Sequence, residues 1–322
     1  MLLRPEIAAL RVDDTPQRQA QARLIAEMDR WRASPVAAPV LADIAKFAAG
    51  ADLAECADLA ALFAKGGRAG RDFADAFIAA MTAALAQVPL GYVAARHFTN
   101  GITSTLLLGQ SGDVTLALVA LGNGSGEPDS ITLSPVECWE HILAGGAAVR
   151  VIACQPVGPD QAKLEATHHH IGAGDTIARD GRMQALVYGK VDGCMVSLRL
   201  QRRLADAGPV REYDLATGQL VHRAAGTQME SRRALMVNLL GRMRRREAAP
   251  MLAQIAQEAG PDALRWQALR ECLGLDTATG FAALCTIAGA GEDPLAGAAG
   301  ALRAQLVEAY PQLAAHMSGA LA

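Results

Sequence analysis

Ile102-Thr103-Ser104-Thr105-Leu106-Leu107-Leu108-Gly109-Gln110-Ser111-Gly112-Asp113-Val114-Thr115-Leu116-Ala117-Leu118-Val119 is two apolar, β-branched runs around a short polar connection. Threonine, isoleucine and valine suit a pleated, half-buried surface, and glycine beside aspartate gives the backbone the freedom of a tight turn. The stretch predicts a β-hairpin, and it belongs to a β region that opens near Pro89. Further short runs follow at Ser130–Leu133, Ala148–Ala153, Gln184–Val191, Cys194–Leu200 and Glu212–His222, with Gly122-Asn123-Gly124-Ser125-Gly126 as a connection. Asp192-Gly193 and Thr217-Gly218 place turn chemistry between apolar runs. About eight short strands at this spacing predict a barrel or sandwich.

On either side the period changes. From Gln17 to Arg32, Ala20, Leu24, Ile25, Met28 and Trp31 recur at steps of three and four, as an amphipathic helix requires. Leu41–Ala49, Leu53–Phe63 and Phe73–Val88 continue in Ala- and Leu-rich helical patterns, broken by Gly50 and by the linker Lys65-Gly66-Gly67-Arg68-Ala69-Gly70. After Thr227 helical spacing resumes and holds to Leu313. The predicted fold class is α+β: a helical domain at 1–88, a β-barrel or sandwich domain at 89–226 and a second helical domain at 227–322. A chain of 322 residues, 51% of them hydrophobic, is long enough to give such domains real cores.

Charge and cysteine usage narrow the function classes. A formal charge of -3 supplies no global field for nucleic acid or an anionic membrane. Six cysteines without Cys-x-x-Cys spacing fit reduced core thiols better than disulfides or a structural zinc site. Met1-Leu2-Leu3-Arg4-Pro5-Glu6 lacks a long apolar run, and the longest apolar stretch, Ile142–Ala153, is interrupted by Arg150 and too short to span a bilayer. These features point to a cytoplasmic protein with no membrane partner.

Arg232-Arg233-Ala234-Leu235-Met236-Val237-Asn238-Leu239-Leu240-Gly241 and Arg265-Trp266-Gln267-Ala268-Leu269-Arg270-Glu271-Cys272-Leu273-Gly274 share an arginine start, helical spacing and a Leu-Gly finish. They lie 33 residues apart, and Leu306 keeps the register of Leu240 and Leu273. A fixed period of this size marks units that bury apolar faces against their neighbours. Glu247–Ala259 and Thr277–Ala288 supply the intervening helices. The pattern resembles HEAT repeats of the short bacterial type, which implies a helical stack that holds protein partners. Arg242, Arg244, Arg245 and Arg246, with Arg232 and Arg233, form a basic cluster suited to an acidic protein partner. No aromatics are interleaved with it, so nucleic acid is disfavoured.

The richest chemical cluster is His168-His169-His170, followed by Gly174-Asp175 and Asp180-Gly181-Arg182-Met183-Gln184. On a strand His168 and His170 face one side and could share a divalent metal; the same run also suits an exposed loop or strand end. His-x-His with Asp175 five residues on resembles the first metal motif of cupin barrels, with Asp in place of the usual Glu. Gly174-Asp175-x-Ile177-x-x-Asp180-Gly181-x-x-Gln184 instead resembles the second cupin motif, with Gln184 where a metal-binding His is usual. The alignments use the same residues, and the strong strands after Met183 favour the second.

Glu137-Cys138-Trp139-Glu140-His141 is the other candidate. On a strand Glu137, Trp139 and His141 share a face; on a short helix after Pro135, Glu137 and His141 meet at i, i+4 while Trp139 packs the barrel mouth. A carboxylate beside an imidazole binds metal or tunes proton transfer. His97 and His222 are single histidines at strand-like positions.

Two functions follow. The cupin resemblance implies a metal-dependent enzyme of oxygenase type acting on a small-molecule or peptide substrate. Its iron, zinc, manganese or nickel would be held by residues drawn from His97, Glu137, His141, His168 and His170. The helical stack implies instead a non-catalytic adaptor that binds an acidic protein through Arg242, Arg244, Arg245 and Arg246.

Overall fold

The structure is a computed structural model that describes residues 13–124, 128–204 and 208–317. Met1–Glu6, Ser125 and Gly126, which entered the sequence reading, lie outside the described residues. The chain divides between Arg223 and Ala224 into two compact units. No helix among the described residues is long and apolar enough to cross a membrane.

The first unit begins with four helices: α1 (Thr15–Arg32), α2 (Ala38–Ala48), α3 (Ala57–Ala61) and α4 (Ala69–Gln87). Ala20, Leu24, Met28 and Trp31 form the buried stripe of α1, as the periodicity predicts, while Ile25, counted with them in the sequence, lies beside the stripe and is exposed. Twelve strands follow: β1 (His97–Thr99), β2 (Thr103–Ser111), β3 (Val114–Leu121), β4 (Ser130–Leu133), β5 (Val136–Ala144), β6 (Gly146–Gly158), β7 (Gln161–Gly172), β8 (Thr176–Asp180), β9 (Gln184–Val191), β10 (Met195–Arg203), β11 (Val210–Asp214) and β12 (Leu220–Ala224). β2 and β3 are the expected hairpin, turning at Gly112-Asp113 with Ser111 opposite Val114.

The strands form three antiparallel sheets, in the orders β1-β2-β3-β10-β5-β8, β12-β11-β4 and β7-β6-β9. One face of the six-stranded sheet is covered by the helices, in a core that joins Ile44, Phe47, Phe73 and Phe77 to Leu116, Leu143, Leu198 and Leu200. Its other face meets the β7-β6-β9 sheet through Ile142 and Met195 against Val149, Ile171 and Val191. The alternating strand pattern therefore has a physical cause: odd and even positions on β5 and β10 serve two different cores. Phe47 stacks edge-on with Trp139 at 5.7 Å, and the Arg202 guanidinium lies 4.0 Å from the Phe47 ring centre. Burying a side chain of that size contributes on the order of 2–3 kcal/mol.

Two sequence expectations change here. The run Glu212–His222 is two strands, because Asp214 accepts hydrogen bonds from the Ala216 and Thr217 amides and closes a turn between them. The histidine triplet is neither loop nor strand end; it lies inside the twelve-residue β7, with His168 opposite Arg150 and His170 opposite Ala148. β7 is an edge strand in which Ala162, Leu164 and Ala166 alternate with Lys163, Glu165 and Thr167, but the alternation stops at the three exposed histidines.

The second unit holds α5 (Gln228–Arg242), α6 (Ala249–Gln257), α7 (Asp262–Leu275), α8 (Thr277–Gly289) and α9 (Ala296–Ala309). Thr227 and Glu230 form a reciprocal capping box at the start of α5, and the Asp276 carboxylate accepts from the Thr279 amide at the start of α8. α5 packs on α7 and α6 on α8, around Leu252, Leu269, Cys272, Phe281 and Leu284. Leu240, Leu273 and Leu306 all line this core at its edge. Arg265 is buried, donating to the Ala256 carbonyl and pairing with Asp293. Gly280 lets α8 approach α7 closely, since a Cβ there would lie 2.6 Å from the Leu273 Cα.

Candidate functional site

Alternation places Glu140 of β5 on the face opposite Trp139, pointing away from the helices and into the space between the sheets. Glu140 is fully buried. The antiparallel register sets Arg199 of β10 directly across from it, and the guanidinium donates through Nη2 to Oε1 at 3.0 Å and through Nε to Oε2 at 3.3 Å. Ser197, two residues before Arg199 on the same strand and therefore on the same face, donates to Oε1 at 2.6 Å. Tyr188 reaches over from β9 in the facing sheet and donates to Oε2 at 2.7 Å. A second guanidinium, Arg179 of β8, stands 3.9 Å from Oε2, and its Nη1 is buried without a hydrogen-bond partner.

The proton affinities follow from this arrangement. Burial alone would push the Glu140 carboxyl up, but the Arg199 charge and the hydrogen bonds from Arg199, Ser197 and Tyr188 outweigh it and hold the group below the usual carboxylate range. Burial pushes the Tyr188 hydroxyl up, and the adjacent Glu140 charge adds to the shift. Burial likewise raises the Cys138 thiol. Burial works against the Arg199 charge, yet Glu140 more than offsets it and the guanidinium stays protonated.

Tyr188 and Arg179 of this network line a cavity of about 420 Å³ bounded by β4, β5, β8, β9 and β10, with Glu140 buried behind them. Arg179, Gln184, Tyr188 and Gln201 supply polar groups, with Ile131, Leu186 and Val187 as apolar walls. The turn before β9 is tight because Gly181 nests against the Ser134 and Val136 carbonyls, 2.5 and 2.9 Å from where a Cβ would lie.

The residues singled out in the sequence take separate places. Glu137 and His141 share a face of β5, as a strand requires, but each has its own partner. Glu137 accepts from Arg202 Nε at 2.8 Å, and His141 Nδ1 lies 2.8 Å from Thr176 Oγ1. Burial pushes the His141 imidazole down, with Asp175 partly offsetting it. His97 and His222 are exposed on β1 and β12, and His168 and His170 are exposed on β7, where His170 stands 3.8 Å from Asp192. Among the described residues, no group of three or more His, Cys, Asp or Glu side chains is placed to hold a metal ion. Gln184, at the variant position of the second motif, does line the cavity, and Asp175 accepts from the Gly172 amide in the turn before β8.

Glu140, Tyr188, Ser197, Arg199 and Arg179 were missed in the sequence. Their signal was a charged residue beside apolar ones at mid-strand, Glu140 after Trp139 in Val136–Ala144 and Arg199 between Leu198 and Leu200 in Met195–Arg203, in strands that carry other charges as well. In the second unit Arg242, Arg244, Arg245 and Arg246 are grouped at the end of α5 and in the turn after it. α5 also exposes Met229, Leu235, Met236 and Leu239, with Met243 just beyond, each more than half accessible. A larger cavity of about 680 Å³ lies among α7, α8 and α9, lined mostly by apolar side chains with Arg270 its charged group. The chemistry is concentrated in the smaller one.

No protein-family model matches the sequence, and no curated protein matches it. Among solved structures, the chain is similar to a cupin-superfamily protein from Desulfitobacterium hafniense, with 14% identity over 33% of this chain and 83% of that one and a TM-score of 0.24. It is also similar to the DMSP lyase DddQ from Ruegeria pomeroyi, with 18% identity over 46% and 68% and a TM-score of 0.29. A third is ectoine synthase from P. lautus, with 12% identity over 33% and 67% and a TM-score of 0.25.

Glu140→Gln keeps the shape of the side chain but leaves Arg199 and Arg179 buried without a counter-charge. It is expected to cost about 3–5 kcal/mol in urea unfolding at neutral pH. Because the folded-state value of Glu140 lies below its ordinary 4.5, the stabilisation is complete above pH 4.5 and is lost as pH falls through the folded value. The gap between wild type and variant should therefore narrow only below pH 4.5, and a gap that closes already at pH 6 would contradict the assignment.

Proposed function

We propose that the first unit is a cupin-like ligand-binding domain that holds a small polar molecule in the cavity beside Glu140, and that it acts by recognition rather than by proton transfer. One observation carries the reading. Glu140 is held down, Tyr188 and Cys138 are pushed up, and Arg199 stays charged, so each of these groups is driven away from neutrality. A general acid or base works best when its proton affinity lies near the working pH. A preorganised, hydrogen-bonded polar wall with apolar sides is what a specific small-molecule site needs.

A divalent metal does not fit this donor set. Two guanidinium groups surround a single carboxylate whose oxygens are already engaged by Arg199, Ser197 and Tyr188, which leaves local positive charge and no vacant ligand. His168 and His170 lie on an exposed edge strand, and Gln184 stands where the family motif would carry a His. The reading thus keeps a ligand-binding role for the first unit and sets aside the metal-dependent oxygenase.

A second reading concerns the second unit, favoured by the apolar stripe of α5 beside its arginines. HEAT-like pairing of α5 with α7 and of α6 with α8 would present this helix to an acidic protein partner, with Met236, Leu239 and Met243 as anchors and Arg242 to Arg246 as the charged rim.

Thermal-shift screening of small polar metabolites against wild type and Thr132→Trp tests the first reading. Thr132 is an exposed residue of the cavity lining, so the indole obstructs the cavity without entering a core. Ligands should raise the melting temperature of wild type and leave the variant unmoved. Equal stabilisation of both, or turnover of a bound compound, would overturn it. For the second reading, a fluorescent acidic amphipathic peptide should bind the full chain with an affinity that falls as salt rises. Combined Arg242→Glu, Arg244→Glu, Arg245→Glu and Arg246→Glu should weaken it at least about tenfold, and salt-independent binding unchanged by those substitutions would count against it.

A further inference from the structure

We propose that the ligand of this cavity is a monoanion, a small carboxylate-bearing molecule whose carboxylate pairs with Arg179. The inference rests on the cavity's being a ligand site and adds the chemical class of the ligand. Glu140 offers one negative charge, whereas Arg199 and Arg179 bring two positive charges to it. The carboxylate is fully engaged by Arg199, Ser197 and Tyr188, and Arg179 receives only a 3.9 Å approach to Oε2. Its Nη1 is buried yet has no acceptor.

A guanidinium mostly out of water, whose nearest counter-charge stands 3.9 Å away, is costly unless an acceptor meets the part of it that lines the cavity. Arg179 is the one charged side chain of that lining among the described residues. The nearby Arg182 is spent on Asp180, to which it donates from Nε at 3.1 Å, and Glu212 at the rim accepts from Ser130. A single surplus positive charge is balanced by a single carboxylate, which the planar guanidinium meets with two parallel donors. Gln184, Gln201 and the Tyr188 hydroxyl lie in the same lining as further polar partners, while Ile131, Leu186 and Val187 leave room for an apolar body.

The test pairs each anion with its neutral isostere. Titration calorimetry of the full chain would use benzoate and benzamide, phenylacetate and phenylacetamide, and inorganic phosphate as a multiply charged control. The ε-NH of Arg179 would be followed by ¹⁵N NMR in arginine-labelled protein. The carboxylates should bind and shift the Arg179 signal, and the amides should bind at least about tenfold more weakly. Phosphate should bind more weakly than benzoate. Arg179→Gln should abolish the preference for carboxylate over amide while melting no lower than wild type, because it removes an unsatisfied charge; Arg199→Gln should melt lower.

Equal binding of acids and amides would overturn the inference while leaving the cavity a small-molecule site. Destabilisation of Arg179→Gln with the acid preference intact would show that Arg179 serves only as a counter-charge to Glu140 and would also overturn it. Failure of every probe to bind, or a preference for phosphate, would do the same.

Discussion

A carboxylate buried between two β-sheets has to be neutralised where it stands, and the placement of Glu140 constrains much of the first unit. Arg199 is opposite it by strand register, Ser197 is on the same face two residues earlier, and Tyr188 arrives from the facing sheet. The hydrogen bonds thus tie β5 and β10 of one sheet to β9 of another, where apolar contacts alone would tolerate small slips. Breaking such a pair on one side is far more damaging than replacing both members, since the survivor is left charged in a poor solvent. The pairing therefore fixes the geometry around the cavity as well as its charge.

The same network explains why the site reads as a place of recognition. Desolvation raises both the carboxyl and the phenol, but Arg199 and the hydrogen bonds pull Glu140 down while the Glu140 charge pushes Tyr188 further up, so the two are separated instead of being brought toward neutral pH. The cavity lining carries the engaged Tyr188, the side-chain amides of Gln184 and Gln201 and the Arg179 side chain. The fold supplies a container, and the side chains determine what it holds.

Much of the architecture was legible because the periods were clean. The β2–β3 hairpin alternates and carries its turn residues, and α1 shows its stripe at Ala20, Leu24, Met28 and Trp31. β7 was harder to read, because the weak alternation of Ala162, Leu164 and Ala166 with Lys163, Glu165 and Thr167 gives way to three exposed histidines with no apolar partner between them. The candidate site was harder still. Sequence drew attention to Glu137 and His141, which share a face of β5 and turn toward the helix-covered side, whereas the intervening Glu140 faces the other way and anchors the cavity-lining Tyr188. That Arg199 faces Glu140 depends on the pairing of β5 with β10, strands more than fifty residues apart, and no local pattern encodes that register. Arg199 between Leu198 and Leu200 was the available hint.

The ionisation of Glu140 is the point on which the account rests, and ¹³C NMR of its side-chain carboxyl, assigned by comparison with Glu140→Gln, reads it directly. The account predicts a carboxylate signal whose titration midpoint lies below the ordinary 4.5. A Glu140 carboxyl that takes up its proton above pH 4.5 would mean that burial outweighs Arg199, and it would contradict both the charge balance of the cavity and the function drawn from it.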